Sequence, residues 1–401
     1  MDELLLKKTM EKLNLKDRKE IEYPADATTD LLIQSQFALK NANIPFKKIP
    51  KKSTKRKGYF LRLFDENQKP FLDFTKGFYP NNIGIGKVIS NDKLLTEQFL
   101  TYAGVKTPNT KFFKPSEYSS AVRYVNSQDG KCVLKPKDLR QSLGAFRDVD
   151  SSNIDSAWHK NLKIQKQYKV KNPLIIIQKQ VEGLELRITV LEGKADTATL
   201  RAPGYVVGDG KSSIKSLIDQ KNEIRKKNNF HFKNPFKLNK ILEDSLHNRD
   251  LSLDSILDKD EYLILYPTVG IATGRDNIEI SEFIHPNIFR QAEDAVTAIP
   301  NVHTAGVDII ISNLDANEGT VLEVNQNPAF QVNYFNMYGK QQDPLSTLFS
   351  NFKLEHKVLN ENIKLKDLDQ NELDTILERY RFLFKKQNIL ADSIKQIIQE
   401  K

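Results

Sequence analysis

Residues 306–328, GVDIIISNLDANEGTVLEVNQNP, are the stretch from which the fold of this chain is read. Two apolar alternating runs, GVDIIIS and GTVLEVN, flank the turn-forming linker NLDANE, and this pattern predicts an antiparallel hairpin. Side chains two residues apart on a strand point to the same face, so Glu323 and Asn325 should project together. Pairing of the two strands can bring Asp308 beside them.

These three residues are candidate metal ligands. Acidic side chains inside apolar strands are costly to bury unless they are paired or bound to a cation. A set of oxygen donors without sulfur or imidazole suits Mg²⁺ better than zinc. The sequence therefore indicates a Mg²⁺ site at Asp308, Glu323 and Asn325, while a buried arginine or lysine partner stays open as the alternative.

Upstream of the hairpin, a lysine at the end of a predicted strand precedes a basic loop. Lys135 ends CVLK, shares a face with Val133, and is followed by Pro136, which cannot continue the strand ladder. The loop KPKDLRQSLGAFR offers backbone amides near Ser142 and Gly144 that could wrap a phosphate. Its further positive charges are Lys137, Arg140 and Arg147. A lysine above a basic loop suits a polyphosphate ligand.

A helix is predicted earlier in the chain, over SNDKLLTEQFLTYAGV (residues 90–105). Ser90 or Asn91 would cap its start, Lys93 would project from its first turn, and Gly104 would take the left-handed conformation that ends a helix. The preceding IGIGKVI reads as a strand that closes an N-terminal domain of mixed helix and strand.

The net charge does not indicate a nucleic-acid partner. The chain has 401 residues, and its 61 Lys and Arg against 52 Asp and Glu give a formal net charge of +9. Seven of these charges lie in residues 47–57, and a lysine run without interleaved aromatic residues is typical of a solvated loop. The seven are Lys47, Lys48, Lys51, Lys52, Lys55, Arg56 and Lys57.

The sequence also predicts a cytoplasmic enzyme or binding protein. The only cysteine, Cys132, cannot form an intrachain disulfide and is expected to be a small buried hydrophobic residue. No apolar run reaches the ~18 residues that span a bilayer, and MDELLLKK lacks the features of a signal peptide, so no membrane partner is expected. The sequence has no HxxxH pair and no GxSxG elbow, the usual signs of helical zinc binding and nucleophilic hydrolysis.

The order of these parts is more specific than any one of them. A helix-start lysine (NDKLLTEQFLTYAGV), a strand-end lysine (VLKP), a loop, a hinge (IIIQKQVEGLELRITV) and the hairpin follow one another over residues 88–335. In this order they resemble the ATP-grasp superfamily of carboxylate-amine ligases. Within it, RAPGYVVGDGKSSIKSLIDQKN followed by ATG and FIHP is most similar to the ATP-grasp domains of cyanophycin synthetases and bifunctional glutathione synthetases.

The resemblance implies a fold of the α+β class with α/β elements, the ATP-grasp fold, in four parts. These are an N-terminal α/β domain (1–88), an ATP-grasp lid subdomain (89–183), a large ATP-grasp subdomain with an antiparallel sheet and the metal site (184–351), and a helical tail (352–401).

It also implies a reaction and the roles of individual residues. A carboxylate would be joined to an amine, both small molecules expected to be amino acids or a short peptide, through an acyl phosphate. ATP phosphates would be held by Lys93, Lys135 and the loop at Ser142 and Gly144. Adenine would be held by Gln178, Lys179, Gln180 and Val181, and the ribose hydroxyls by Glu185. Two Mg²⁺ ions, which Mn²⁺ could replace, would bind Asp308, Glu323 and Asn325. Arg201, Lys221 and Asn222 match positions near phosphate or substrate.

The chain departs from the family at the hinge and at the substrate region. Gln178 stands at the usual hinge acid, and its amide oxygen can still accept a hydrogen bond from adenine. Where close relatives read approximately LRxxANLSTGG, this chain has LYPTVGIATGR, which places Tyr266 at an arginine, Gly270 at an asparagine and Arg275 at the last glycine. Arg275 could form a new carboxylate clamp or face solvent, and Arg187 is expected to pair with an acid. We therefore do not expect glutathione or cyanophycin as the product.

The tail beyond residue 352 is predicted to be helical, with an apolar face that needs a cover. The face is formed by Leu373, Ile376, Leu377, Tyr380, Leu383 and Phe384. It would pack either on the chain's own body or against a partner, including a second copy in a homo-oligomer. Two other functions stay open: a ligase that extends a peptide or polymer end, with residues 47–57 attracting an acidic chain, and a nucleotide-binding interaction protein without ligase activity.

Overall fold

The computed structural model describes residues 1–15, 27–51, 58–76, 79–82, 84–139, 143–266, 274–360 and 363–399. Within these ranges, four antiparallel sheets carry the helices. No helix in these ranges is long and apolar enough to cross a membrane.

The N-terminal part of the described chain consists of two helices and a three-stranded sheet. They are α1 (Glu3–Lys12), α2 (Leu31–Asn41), β1 (Phe46–Pro50), β2 (Tyr59–Phe64) and β3 (Pro70–Phe74), and the strand order is β1-β2-β3. Leu61, Leu63 and Phe74 are fully buried and share a core with Phe330 and Phe349. This core therefore joins the N-terminal sheet to residues much later in the chain.

The predicted strand at IGIGKVI is wrong, because these residues belong to a helix, α3 (Ile85–Asn91). Alternation of apolar residues with glycine imitates a strand, but here Gly86 allows close packing. A Cβ at Gly86 would lie 2.1 Å from the carbonyl oxygen of Pro300. Only a residue without a side chain lets α3 approach that turn.

The next helix, α4 (Lys93–Tyr102), is the one predicted, with its start corrected. Its N-cap is Asp92, whose carboxylate accepts hydrogen bonds from two amides of the first turn. Ser90 and Asn91, the predicted caps, belong to α3. Gly104 has a φ of +72°, which is the left-handed conformation expected at this helix end.

A four-stranded sheet in the order β4-β7-β5-β6 follows. Its elements are β4 (Lys111–Phe113), α5 (Tyr118–Asn126), β5 (Cys132–Pro136), β6 (Phe146–Val149), α6 (Ile154–Gln167) and β7 (Ile175–Lys179). Cys132 is fully buried in the core of this unit together with Trp158. The expectation that this cysteine is a buried hydrophobic residue is confirmed.

The largest sheet has five strands in the order β12-β9-β8-β13-β14, beside a two-stranded sheet of β10 and β11. The elements of this region are β8 (Leu184–Leu191), β9 (Lys194–Ala202), β10 (Tyr205–Val207), α7 (Ile214–Lys226), α8 (Lys240–His247), β11 (Tyr262–Ile264), β12 (Asp276–Glu279), α9 (Pro286–Ala298), β13 (Ala305–Ile311) and β14 (Gly319–Asn325).

The five-stranded sheet has one apolar and one polar face, because side chains alternate along its strands. Leu186 and Ile188 are fully buried on the apolar face, in the same core as residues of α9. On the other face Arg187 lies opposite Asp308, which in turn lies opposite Glu323 across β13 and β14. The predicted hairpin is thereby confirmed, and the polar face becomes the place to search for a site.

Two hydrophobic cores each contain residues from more than one of the four predicted parts of the chain. The four-part division itself stays a prediction. α1 contributes Leu6 and Met10 to the core of the five-stranded sheet, and α4 contributes Leu100 to the same core. The N-terminal elements therefore pack on two different sheets.

The chain ends with α10 (Gln331–Tyr334), α11 (Pro344–Asn360) and α12 (Gln370–Gln399). The predicted apolar face of α12 is divided in the structure. Ile376 is 2% exposed and Leu383 packs against the core of the body, whereas Tyr380 and Phe384 are 41% and 68% exposed. Phe382, which was not part of the predicted face, is 7% exposed against the body. The chain's own body covers one stripe of the helix, and the neighbouring stripe faces outward.

Candidate active site

The polar face of the five-stranded sheet is built around a buried ion pair. The guanidinium of Arg187 donates to both carboxylate oxygens of Asp308, and Nη2 lies 3.0 Å from Oδ2. Gly306 makes room for this pair, since a Cβ there would lie 2.6 Å from Arg187 Nη1. The expectation that Arg187 pairs with an acid is confirmed. The buried cationic partner that was left open for Asp308 is also present.

Two further arginines converge on Glu185. Arg201 and Arg275 each place Nη1 2.9 Å from Glu185 Oε1, and Arg201 Nη1 lies 3.3 Å from Asp308 Oδ2. Burial opposes the charge of Glu185, but Arg275 and Arg201 outweigh it and hold the pKa of this carboxyl below its usual value. Arg275 is mostly buried and does not face solvent. Ion pairs therefore run from the start of β12 to β13.

The predicted metal ligands lie side by side. Asn325 Nδ2 is 3.4 Å from Asp308 Oδ2, and Asp308 lies opposite Glu323 in the strand register of the hairpin. In the described ranges, no group of three or more His, Cys, Asp or Glu side chains could hold a metal ion. The predicted set has two carboxylates and one amide.

The donor chemistry of this set fits a hard divalent cation in part. Glu323 has no ion-pair partner within the part of the chain that the structure describes, and the amide oxygen of Asn325 could serve as a metal ligand. Asp308, in contrast, already accepts from Arg187 and Arg201. A cation bound at Asp308 would compete with Arg201, so the metal assignment stays a prediction.

The two lysines predicted to hold phosphates lie near Glu323. Lys93, the first residue of α4, lines a small cavity together with Glu97 and Glu323. The pKa of Lys135 is lowered to about 8, first by burial and then by Lys93, although Glu323 and Glu97 oppose the shift. The structure therefore brings Lys93, Lys135 and Glu323 together. Glu97 was not predicted, although it stands four residues after Lys93 on the same helix face.

The predicted contact of Lys135 with the phosphates of ATP implies that the affinity for ATP falls as the pH rises through about 8. Protonated Lys135 attracts phosphate oxygens, and deprotonation removes that charge. The Kd for ATP should be constant at lower pH and rise at higher pH, by up to about tenfold per pH unit. Lys135→Arg keeps its charge and should show a flat profile. Calorimetric titration with ATP at a series of pH values checks this, and an equal rise in both proteins would assign the pH dependence to another group.

The predicted hinge residues lie at the end of β7 and in the segment that leads to β8. Gln178 is buried in β7, and Lys179 ends that strand with an exposed side chain. The amide of Gln180 donates to the carbonyl of Lys131 at 2.8 Å, so this N–H already has a partner within the chain. The predicted adenine contacts of the hinge stay a prediction. Val181 follows and is half-buried.

Only the flanks of the predicted phosphate loop lie among the described residues. Ser142 and Arg140 lie outside them. The carbonyl of Gly144 accepts from Asn161 Nδ2 at 2.8 Å, and a Cβ at Gly144 would lie 3.3 Å from Pro136. Gly144 therefore fastens the end of the loop to α6 and β5, and its contact with phosphate stays a prediction.

Two residues predicted near phosphate or substrate have other partners. Asn222 donates to the carbonyl of Phe236 at 3.0 Å and accepts from its amide at 2.8 Å, so its side chain is occupied in fixing that segment. Lys221 pairs with the fully buried Asp276 at 2.9 Å, and its ammonium lies 4.4 Å from the ring centre of Tyr205. In this arrangement both side chains are engaged within the protein, and their predicted places near phosphate or substrate stay predictions.

Arg225 was not predicted, and it holds residues next to the site in place. It is 1% exposed and donates to Asp276, to the Arg275 carbonyl at 3.2 Å and to the Asn234 carbonyl at 2.7 Å. It thereby holds the start of β12 and the backbone of Arg275. The signal in the sequence was its position seven residues after Ile218, on the buried face of α7.

Comparison with a solved structure agrees with the predicted fold. The crystal structure of a bifunctional glutathione synthetase from Pasteurella multocida matches with a TM-score of 0.59 and 20% identity, over 82% of this chain and 44% of that chain. The chain therefore has the ATP-grasp fold. No protein-family model matches it.

Sequence relatives lead to the same conclusion. The chain is 28% identical over 310 residues to the glutathione biosynthesis bifunctional protein GshAB of Streptococcus mutans, which is 72% of this chain and 40% of that protein. It is 30% identical over 251 residues to the cyanophycin synthetase of Crocosphaera subtropica, which is 60% of this chain and 28% of that protein. The chain thus spans less than half the length of these curated relatives. The resemblance to the ATP-grasp ligases is confirmed.

Proposed function

We propose that the chain is an ATP-dependent ligase that joins a carboxylate to an amine and releases ADP and phosphate. The observation that supports this most is the convergence of Lys93, Lys135 and Glu323 beside the arginines of the polar sheet face. A polyphosphate and a carboxylate are both anions, and this face offers fixed positive charge to both. The ATP-grasp fold supports the same reading.

The reaction has two steps that need charge and position rather than an enzyme nucleophile. A carboxylate oxygen of the acid attacks the γ-phosphorus of ATP, and the bond from that phosphorus to ADP breaks. The amine nitrogen then attacks the acyl carbon, phosphate leaves, and the nitrogen loses a proton. Lys93 and Lys135 disperse charge on the phosphoryl group, and Arg201 and Arg275 hold the acid. Cys132, buried in the lid core, takes no part.

ATP and Mg²⁺ are the proposed cofactors. Glu323 and Asn325, with Asp308, would hold two Mg²⁺ ions, and Mn²⁺ could replace them. When bound, the metal supplies positive charge to the phosphate oxygens. The segment at 137–147, fastened at Gly144, would shield the acyl phosphate from water.

The substrates are proposed as small molecules, an amino acid or a short peptide on the acid side and an amino acid on the amine side. We do not propose glutathione or cyanophycin, which appear in the names of the relatives, as the product of this chain. Arg275 in place of a glycine adds a cation to the substrate region, and this changes which anion is recognised. We propose the cytoplasm as the place of action.

The test is ADP release from ATP and Mg²⁺ across a panel of amino acids, small carboxylates and short peptides, with hydroxylamine as the amine. We expect one acid to give both ADP and a stable hydroxamate, because hydroxylamine traps an acyl phosphate. ADP without any hydroxamate would contradict the acyl-phosphate route. ATP binding without stimulation by any acid would favour a nucleotide-binding protein that lacks ligase activity.

A further inference from the structure

One carboxylate links the two segments that carry Lys93 and Lys135. Asp92 Oδ1 accepts from two amides in the first turn of α4, at 2.9 and 3.3 Å, and thereby caps the helix that begins at Lys93. The other oxygen, Oδ2, lies 2.7 Å from the ammonium of Lys137, the first residue after β5. Lys135 stands two residues earlier, within that strand. Asp92 therefore contacts both segments at once.

Lys137 is held at three points. Its amide donates to the carbonyl of Leu174, just before β7, at 3.1 Å, and this bond continues the ladder between β5 and β7. Its carbonyl accepts from Lys93 Nζ at 3.4 Å. Its ammonium is paired with Asp92. The chain that leaves Lys135 is thus fixed both to its own sheet and to the start of α4.

The ion pair between Asp92 and Lys137 is partly removed from water, since the two side chains are 28% and 22% exposed. Burial favours the neutral acid, but the hydrogen bonds from Lys137 and from the backbone amides of α4 outweigh it and hold the pKa of the Asp92 carboxyl below its usual value. Asp92 is therefore ionised at neutral pH. Its attraction to Lys137 is stronger than that of a pair on the open surface.

The pair lies between two parts of the fold that have separate cores. In the described ranges, the core around the four-stranded sheet shares no residue with the core of the five-stranded sheet. α4 belongs to the latter core through Leu100. A second carboxylate of α4 also reaches the four-stranded sheet, since Glu97 Oε1 accepts from the amide of Thr110, next to β4, at 2.5 Å. The position of Lys135 relative to Lys93 therefore depends on polar contacts of this kind and not on a shared core.

We infer that Asp92 is a positioning residue, which fixes Lys93 and Lys135 relative to each other by capping α4 and holding Lys137. The inference rests on the proposed function, in which these two lysines disperse the charge of the transferred phosphoryl group. Lys137, which the sequence counts among the charges of the basic loop, is in this arrangement the link to α4. Position matters to such a reaction, because a misplacement of about 1 Å can lower its rate by about 10²-fold.

The experiment breaks the ion pair from either side. Asp92→Asn keeps a side-chain oxygen that can cap α4, and Lys137→Met removes only the charge of a long side chain. We expect kcat for ADP release, with the acid found by the hydroxamate panel, to fall about 30-fold in each variant, while KM for ATP changes less than about threefold. The double variant should be no slower than the single ones, because both substitutions remove the same contact. Lys137→Met carries the test if Asp92→Asn does not fold.

Binding of ATP gives a second measurement, which needs no turnover. The ³¹P chemical shift of the γ-phosphorus of bound Mg-ATP depends on the cations around it, so both single variants should change this signal in the same way. A matched control lies beyond the other end of α4, where Lys106 is 53% exposed and pairs with Glu318. Lys106→Met removes the same charge and should keep kcat, KM and the ³¹P signal of the unchanged protein.

The main rival is a direct contact of Lys137 with phosphate. In that case Lys137→Met weakens ATP binding, and Asp92→Asn, which frees Lys137, does not slow turnover. That pair of results overturns the inference, as do losses of kcat that multiply in the double variant. A chain that forms no hydroxamate with any acid removes the proposed ligase, and the ³¹P signal then decides. A γ-phosphorus signal that is unchanged in Asp92→Asn overturns the positioning role as well.

Discussion

Turnover should fall by about 10³-fold when Glu323 is replaced by glutamine and Asn325 by alanine, while the fold stays intact. Glu323 has no ion-pair partner in the described ranges, and Asn325 makes one long hydrogen bond to Asp308, so little stability depends on either side chain. Both lie where positive charge would be gathered around the phosphoryl group. The measurement is ADP release with the acid found by the hydroxamate panel, together with a thermal melt of each variant.

A matched control is available in the same hairpin. Glu318 precedes β14, and its exposed carboxylate pairs with exposed Lys106 at 2.6 Å. Surface pairs of this kind contribute about 1 kcal/mol or less, so Glu318→Gln should keep both activity and stability. A double variant at Glu323 and Asn325 that remains fully active would refute the metal assignment.

Replacing Arg379 by methionine should destabilise the chain by about 3–5 kcal/mol, because it leaves a buried carboxylate without its cation. Arg379 on α12 is 7% exposed and lies 2.8 Å from Glu192, which is 3% exposed. Its guanidinium also donates to the Glu192 carbonyl at 3.1 Å. The pair fastens α12 to the turn between β8 and β9. Urea denaturation and limited proteolysis of α12 would measure the loss.

The control for this prediction lies two residues away on the same helix. Arg381 is 75% exposed and pairs with Glu378 within α12, so Arg381→Met should change the free energy of unfolding by less than about 1 kcal/mol. A substitution on the exposed stripe of α12 tests whether a partner holds the helix. If Phe384→Ser destabilises the chain in a concentration-dependent way and Arg379→Met does not, the helix is held by a partner rather than by the body.

Lys386 also attaches the tail to the body, and burial followed by the nearby Arg379 lowers the pKa of its ammonium to about 7. It donates to the carbonyl of Val296, near the end of α9, at 2.8 Å and to that of Val302, between α9 and β13, at 2.9 Å. A cation there is favourable because backbone carbonyls at the C-terminus of a helix lack partners within it. α12 is thus attached to the body at Arg379 and at Lys386. The sequence left open whether the body or a partner covers this helix, and for the inner stripe it is the body.

Local patterns were enough to predict the hairpin and its polar residues. Alternation along each strand and turn residues between them predict that Glu323 and Asn325 share a face and that Asp308 can lie beside them. The register that sets Asp308 opposite Glu323 is given by the structure. The lysines at the start of α4 and in β5 follow from the same short-range rules. Periodicity was misleading only where glycine and apolar residues alternate, at α3, since a close contact with Pro300 and not the pattern sets the conformation there.

The sequence by itself indicated most of the charged groups on the polar sheet face, though not Glu97 or Arg225, and the tertiary structure decided how they are paired. Arg187 and Asp308 are 121 positions apart, and Arg275 lies 90 positions from Glu185, so no spacing along the chain could reveal either contact. Strand order brings them together, and burial makes the pairing obligatory, because a charge removed from water must find its opposite. Tertiary packing also decides that the Asn222 side chain bonds to the backbone of Phe236. It likewise divides α12 into a covered and an exposed stripe. Periodicity tells which side of an element is apolar, but only the packed chain determines what that side meets.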